Sequence, residues 1–267
     1  MNPVESAVQF HRVPLRPKSH STGINRTPTF MKALGFSWSR PPTNLALLED
    51  EVHLWYSTLD LPASNLQTLE ATLGLDERER AKGFCLQLER ARFVVGRGLL
   101  REILGHYSGI ESKALRFKYS PRGKPSLAER FGGDRIQFSL ARSNGYVIYA
   151  FTLSRRIGVD LERVVLIESE QIANRFFTDR EKAALHALNG NEQLEEFFRI
   201  WTAKEAYLKA CGEGLARPLN EVDFSLNPGE SSCLVRIRGV REDCSLWSLW
   251  QLRPASGFTA ALILEVS

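Results

Sequence analysis

The stretch Glu196-Phe-Phe-Arg-Ile-Trp-Thr-Ala-Lys-Glu-Ala-Tyr-Leu-Lys-Ala-Cys-Gly-Glu-Gly-Leu215 reads as one helix with a hard stop. Good helix formers fill it, and Gly212 and Gly214 stand where C-terminal caps belong. Phe197, Trp201, Tyr207 and Leu208 supply apolar bulk. Trp201, Glu205 and Lys209 recur every fourth residue, so they climb one face with a drift of about 40° per step. An acid and a base therefore follow a Trp where an amphipathic helix would continue its apolar stripe. The same spacing also suits an ordinary i,i+4 surface ion pair.

Upstream, residues 156–164 read Arg-Ile-Gly-Val-Asp-Leu-Glu-Arg-Val. The short apolar run predicts a strand, and alternation puts Asp160 and Glu162 on one face. Neighbouring carboxylates repel unless a positive charge lies between them. Oxygen-only ligands favour a hard cation such as Mg2+, which takes one or two carboxylates and fills its shell with water and phosphate oxygens. Glu205 would supply a third acid.

Gly158-Val-Asp-Leu-Glu162, then Phe197-Phe198, then Trp201-Thr-Ala-Lys-Glu-Ala-Tyr207 and Lys209 together resemble the 4′-phosphopantetheinyl transferases, in particular the larger two-lobed type that activates carrier proteins of peptide, polyketide and fatty-acid synthesis. The likeness covers roughly residues 48–265. It implies transfer of phosphopantetheine from coenzyme A to a serine of an apo carrier protein, with release of adenosine 3′,5′-bisphosphate. It also implies Asp160, Glu162 and Glu205 as Mg2+ ligands, Glu205 or a metal-bound water as the base for the serine, and Lys209 as the stabiliser of the leaving phosphate. Coenzyme A contacts fall to Arg92 and Arg97 on the first long helix, Lys124 in the Arg122-Gly-Lys-Pro125 turn, and Arg142 with Ser143 in Phe138-Ser-Leu-Ala-Arg-Ser-Asn144. Arg142 stands where the family commonly has a histidine; a guanidinium suits a phosphate at least as well.

Element order repeats along the chain. The first half gives a strand at Glu51–Leu59, a charged helix at Asp76–Phe84, an amphipathic helix at Glu89–Tyr107 and strands beyond. The second half replays this from Ile157. Phe93 and Phe198, like Gly109 and Gly214, are 105 residues apart. In that register Trp55 and Leu100 stand opposite Asp160 and Glu205, so only the second half carries the acids. The expected fold is α+β: the 4′-phosphopantetheinyl transferase fold, two similar α/β lobes in a pseudo-twofold arrangement with one active site between them. The expected domains are a basic arm (1–47), a coenzyme A lobe (48–155) and a catalytic, magnesium-binding lobe (156–267). The arm carries six cations against one acid and no sustained periodicity, which predicts a loosely packed segment; translation starting at Met31 is a further expectation.

The net charge of +4 is too modest for a general nucleic-acid binder. No apolar run approaches the ~20 residues of a membrane helix, and no secretory leader is visible. The four cysteines (Cys85, Cys211, Cys233, Cys244) lack metal-type spacing and predict reduced thiols. The expectation is a cytoplasmic monomer with no nucleic-acid or membrane partner. Two other readings compete. Another magnesium-dependent phosphate-transfer or hydrolysis enzyme lacks support, because no Gly-x-x-x-x-Gly-Lys loop occurs. A catalytically inactive carrier-binding module fits poorly with the intact acids.

Overall fold

The computed structural model describes residues 7–15, 37–42, 45–133, 135–212, 218–225, 234–237 and 247–265. Met31, Gly214, Cys233 and Cys244 lie outside the described residues. The chain divides into two compact units: Ser37–Ser154 together with the first strand through Arg12, and a second holding Arg155 onward.

The first unit has a four-stranded sheet in the order β1-β2-β6-β5, formed by β1 (Val8–Pro14), β2 (Glu51–Thr58), β5 (Ile136–Ser143) and β6 (Tyr146–Leu153). Helices α1 (Ala63–Thr72), α2 (Leu75–Lys82) and α3 (Gln87–Ser108) follow β2, and the short hairpin β3 (Phe117–Tyr119) and β4 (Pro125–Leu127) precedes β5. Trp55, Leu99, Leu100, Leu104, Tyr149 and Phe151 share one buried cluster. Close packing of α1 on α3 depends on Gly98, where a Cβ would lie 2.6 Å from that of Leu69.

Strand β1 corrects the expectation that residues 1–47 form a loose arm. Val8, Phe10 and Val13 are buried, and Arg12 pairs with Glu51 at 3.2 Å. The alternation is present in Val-Gln-Phe-His-Arg-Val, but basic and proline-rich neighbours obscure it. Pro14 at the strand's end suits an edge position, where a missing N–H costs nothing.

The second unit repeats the plan. A strand, β7 (Ile157–Arg163), leads into two short helices, α4 (Ser169–Phe176) and α5 (Asp179–His186), and a long one, α6 (Gly190–Cys211). A hairpin follows, β8 (Val222–Ser225) with β9 (Leu234–Ile237), and then β10 (Trp247–Leu252) and β11 (Phe258–Glu265). The sheet order β10-β11-β7 matches β5-β6-β2. Both long helices have 22 residues and stop at a left-handed glycine, Gly109 (φ 68°) and Gly212 (φ 71°), a conformation with no Cβ penalty. The helices thus repeat at 103 residues, not 105, which places Glu102 rather than Leu100 opposite Glu205.

Candidate active site

In the second unit α6 lies on β7 with almost nothing between them. A Cβ on Gly158 would stand 1.8 Å from the Ala206 carbonyl oxygen and 2.6 Å from the Ala210 nitrogen, so only glycine permits this approach. The helix face that meets the sheet is itself small: Ala203, Ala206 and Ala210 are fully buried with Tyr207 against Val222, Phe224, Trp247, Leu249, Ala261 and Ile263. Two residues beyond Gly158, Asp160 is therefore brought beside the next turn of α6. Its Oδ1 accepts from Lys209 Nζ at 2.6 Å.

The electrostatics are strained in one direction. Burial raises the pKa of Asp160 against the lowering effect of Lys209. Burial, and then the Asp160 charge, raise that of Glu205, again against Lys209. Asp160 Oδ2 is buried with no hydrogen-bond partner. Glu162 is half-buried on the same strand. Two carboxylates that disfavour ionisation in each other's presence, one with a bare buried oxygen, are chemically suited to a hard divalent cation. Among the described residues, however, no three His, Cys, Asp or Glu side chains are placed to hold a metal. In this structure Lys209 takes Asp160 Oδ1, which leaves Oδ2 as the open oxygen of that carboxylate.

The predicted phosphate contacts of the first unit divide into two kinds. Arg92 is committed: Asp60 takes its Nε and Nη2 at 2.7 and 2.8 Å, and Glu89 lies at 3.4 Å. Arg97 donates through Nε to Glu77 at 2.9 Å and through Nη2 to the Tyr119 hydroxyl, with its guanidinium over the rings of Phe117 and Tyr119. Arg142, near the end of β5, runs its stem past Gly96 on α3, with Cδ 3.6 Å from where a Cβ would sit. It has no hydrogen bond or ion pair among the described residues. Its side chain is exposed; partial desolvation of the guanidinium pulls its pKa down, Arg97 and Arg80 add to this, and Tyr149 and Glu89 oppose it. An exposed guanidinium beside two other cations can be met by water or by an anion. Ser143 is half-buried at the end of β5 and Lys124 half-buried in the turn between β3 and β4, its amide donating to Ser120 Oγ at 3.1 Å.

A profile described as "ACPS: 4'-phosphopantetheinyl transferase superfamily" matches residues 156–263, the segment that holds β7, α6 and the acids. The "4'-phosphopantetheinyl transferase HetI" of Nostoc sp. is 43% identical over 230 residues, covering 86% of this chain and 94% of that relative. The chain belongs to the 4′-phosphopantetheinyl transferase superfamily. "Putative 4'-phosphopantetheinyl transferase slr0495" of Synechocystis sp. is 32% identical over 173 residues (63% of this chain, 68% of the relative). "4'-phosphopantetheinyl transferase Sfp" of Bacillus subtilis is 30% identical over 152 (57% and 66%).

Three residues of this phosphopantetheinyl transferase chain were given no role from sequence. Gly158 sets the approach of β7 to α6; a lone glycine inside a strand pattern was its signal. Glu181 and Glu77 are buried at the third position of α5 and α2. Thr178-Asp-Arg-Glu181 has the capping-box spelling, which could have pointed to the first of these. Between α4 and α5, Phe177 is core, stacked on Phe197 at 5.2 Å. Leu166 (91% exposed) and Ile167 stand open, with Val165 beside them. Of the described cysteines, Cys85 is exposed and Cys211 half-buried. No described helix is long and apolar enough to cross a membrane.

Proposed function

We propose that this chain transfers 4′-phosphopantetheine from coenzyme A to a serine hydroxyl of an apo acyl or peptidyl carrier protein. The serine oxygen attacks the pantetheine-side phosphorus, the pyrophosphate P–O bond breaks, and adenosine 3′,5′-bisphosphate leaves. The observation that supports this most directly is the convergence of Asp160, Glu205 and Lys209 where β7 and α6 touch, in a chain of this family.

Glu205 is the candidate proton acceptor. Burial and the Asp160 charge make its carboxylate more basic than usual, as general-base work at neutral pH requires. Lys209 is held at the site by Asp160 and is available to the oxygen on which charge develops as the bond breaks. Asp160, Glu162 and Glu205 would hold Mg2+, which when bound neutralises phosphate charge. Coenzyme A binding falls to Arg97, Arg142, Lys124 and Ser143. Arg92 is the weakest of the five, because Asp60 already satisfies it. The carrier docks at the open Val165–Leu166–Ile167 segment. The enzyme works as a cytoplasmic monomer.

Incubating the protein with an apo carrier, coenzyme A and Mg2+, and then weighing the carrier, tests the reading. A gain of one phosphopantetheine supports it; nucleotide turnover without that gain, or carrier binding alone, refutes it. Arg142 has its own test. Wild type is expected to prefer coenzyme A to 3′-dephospho-coenzyme A. Arg142→Ala weakens the first selectively, so that the preference shrinks tenfold or more, about 1.4 kcal/mol. Equal weakening of both substrates would mean that Arg142 positions the β5–β6 turn instead.

A further inference from the structure

Lys204 precedes Glu205 on α6 and is fully buried. Its ammonium pairs with Glu181 Oε2 at 2.8 Å and donates to the carbonyls of Leu219, at 2.8 Å, and Val222. All three of its protons are thereby used. Glu181 is equally committed, accepting from the amides of Thr178 at 2.8 Å and Phe224 at 3.2 Å. The first unit contains the same wiring on its own long helix. Arg101, 103 residues before Lys204, is fully buried and pairs with Glu77. It donates to the carbonyls of Ser112 at 2.9 Å and Leu115 at 3.2 Å, in the segment just after its helix. Glu77, like Glu181, is the third residue of the short helix before it and takes that helix's capping amide, Gly74 N, at 3.0 Å. One arrangement built twice, once with lysine and once with arginine, is a specific device.

What the device controls follows from the opposite side of α6. There the helix meets the sheet mostly through small residues, Ala203, Ala206 and Ala210 over Gly158, with Tyr207 as the one large side chain, edge-on to Phe224 and Trp247. Apolar contact of this kind is non-directional. Hydrogen bonds are directional, and Lys204 supplies three of them one residue away from Glu205. A rotation of α6 by 20° would carry a side-chain tip, about 6 Å from the axis, through about 2 Å. We propose that Lys204 and Glu181 are positioning residues: their buried pair fixes the rotation of α6 so that Glu205 faces Asp160. Neither touches substrate. The proposal rests on the reading of Glu205 as ligand and base.

The test compares Lys204→Met, Lys204→Arg and Glu181→Gln with wild type and Glu205→Gln, using full-length protein well below each variant's melting temperature. The readouts are kcat, the KM for coenzyme A, and Mn2+ affinity measured by the free-ion electron paramagnetic resonance signal without coenzyme A. Lys204→Met is expected to lose 100-fold or more in kcat and 10- to 100-fold in Mn2+ affinity, with the KM for coenzyme A within threefold of wild type. Lys204→Arg, the arrangement the first unit already uses, restores at least a tenth of wild-type kcat. If Lys204→Met does not fold, Glu181→Gln carries the test: it keeps one acceptor oxygen, turns the other into a donating NH2 and removes the charge, and is expected to lose tenfold or more in both kcat and Mn2+ affinity. A Lys204→Met protein that melts earlier yet keeps kcat and Mn2+ affinity within threefold, or a Lys204→Arg protein as inactive as Lys204→Met, overturns the proposal. If Glu205→Gln itself transfers at the wild-type rate, the site reading fails; if Glu205→Gln is inactive while Lys204→Met and Glu181→Gln are normal, only the positioning pair fails.

Discussion

Replacing Gly158 by alanine is expected to abolish transfer and to destabilise the second unit by about 3 kcal/mol or more. The added methyl would lie 1.8 Å from the Ala206 carbonyl oxygen, where real contacts begin near 3.0 Å. Strand and helix must therefore separate by about 1.2 Å, and neither side offers a flexible tip that could fold away, since the colliding atoms are backbone. The movement falls two residues from Asp160, on the helix that carries Glu205 and Lys209. A displacement of ~1 Å at a reacting geometry costs on the order of 100-fold in rate even when the fold survives. Thermal unfolding and single-turnover transfer on the same preparation check both halves. An alanine variant with wild-type melting and turnover would mean that the contact is looser than the structure has it.

Asp160→Asn is expected to act in opposite directions on rate and stability. Turnover falls to background, because the side chain loses its charge and its grip on Lys209. The metal-free protein, however, melts at the same temperature or higher. Burial raises the pKa of Asp160 despite Lys209, so the ionised carboxylate is less favourable in the folded chain than in the unfolded one. This penalty is absent below the ordinary aspartate pKa, grows as pH rises through it, and is complete above the raised folded value. An asparagine never incurs it. The lysine left behind is 30% exposed and can turn to water, unlike a charge stranded in a core. Melting curves from mildly acid to neutral pH check this: the wild type loses stability along that range relative to Asp160→Asn. A variant that melts well below wild type at neutral pH would show that the Lys209 pair outweighs the burial.

Much of this site is written locally in the sequence. The 3.6-residue rhythm of 196–211 and the two-residue rhythm of 157–163 give α6 and β7 directly, and Gly212 marks the helix stop. The partner of Lys209 is not local. Helix spacing offers Glu205, four residues back, whereas the hydrogen-bonded acceptor is Asp160 on β7, and no one-dimensional spacing encodes which strand packs on which face. The same limit hid Glu181 and Glu77, whose charges read as surface until long-range partners bury them. Strand β1 was hidden differently: its alternation is intact, but Arg12 among its residues looks solvated until Glu51 appears beside it. Helix α1 has weak periodicity; Leu69, buried against Gly98 of α3, and Leu66 beside the core tie it down.

The double use of Glu181 also links motions that would otherwise be separate. One of its oxygens closes the amino end of α5 through the Thr178 amide, and the other holds the Phe224 amide at β8. An eight-residue helix cannot sustain itself alone, so any fraying of α5 withdraws the carboxylate from β8 at the same moment. The two amides, far apart in the chain, therefore open as a single cooperative unit, and their deuterium exchange reports a common opening free energy.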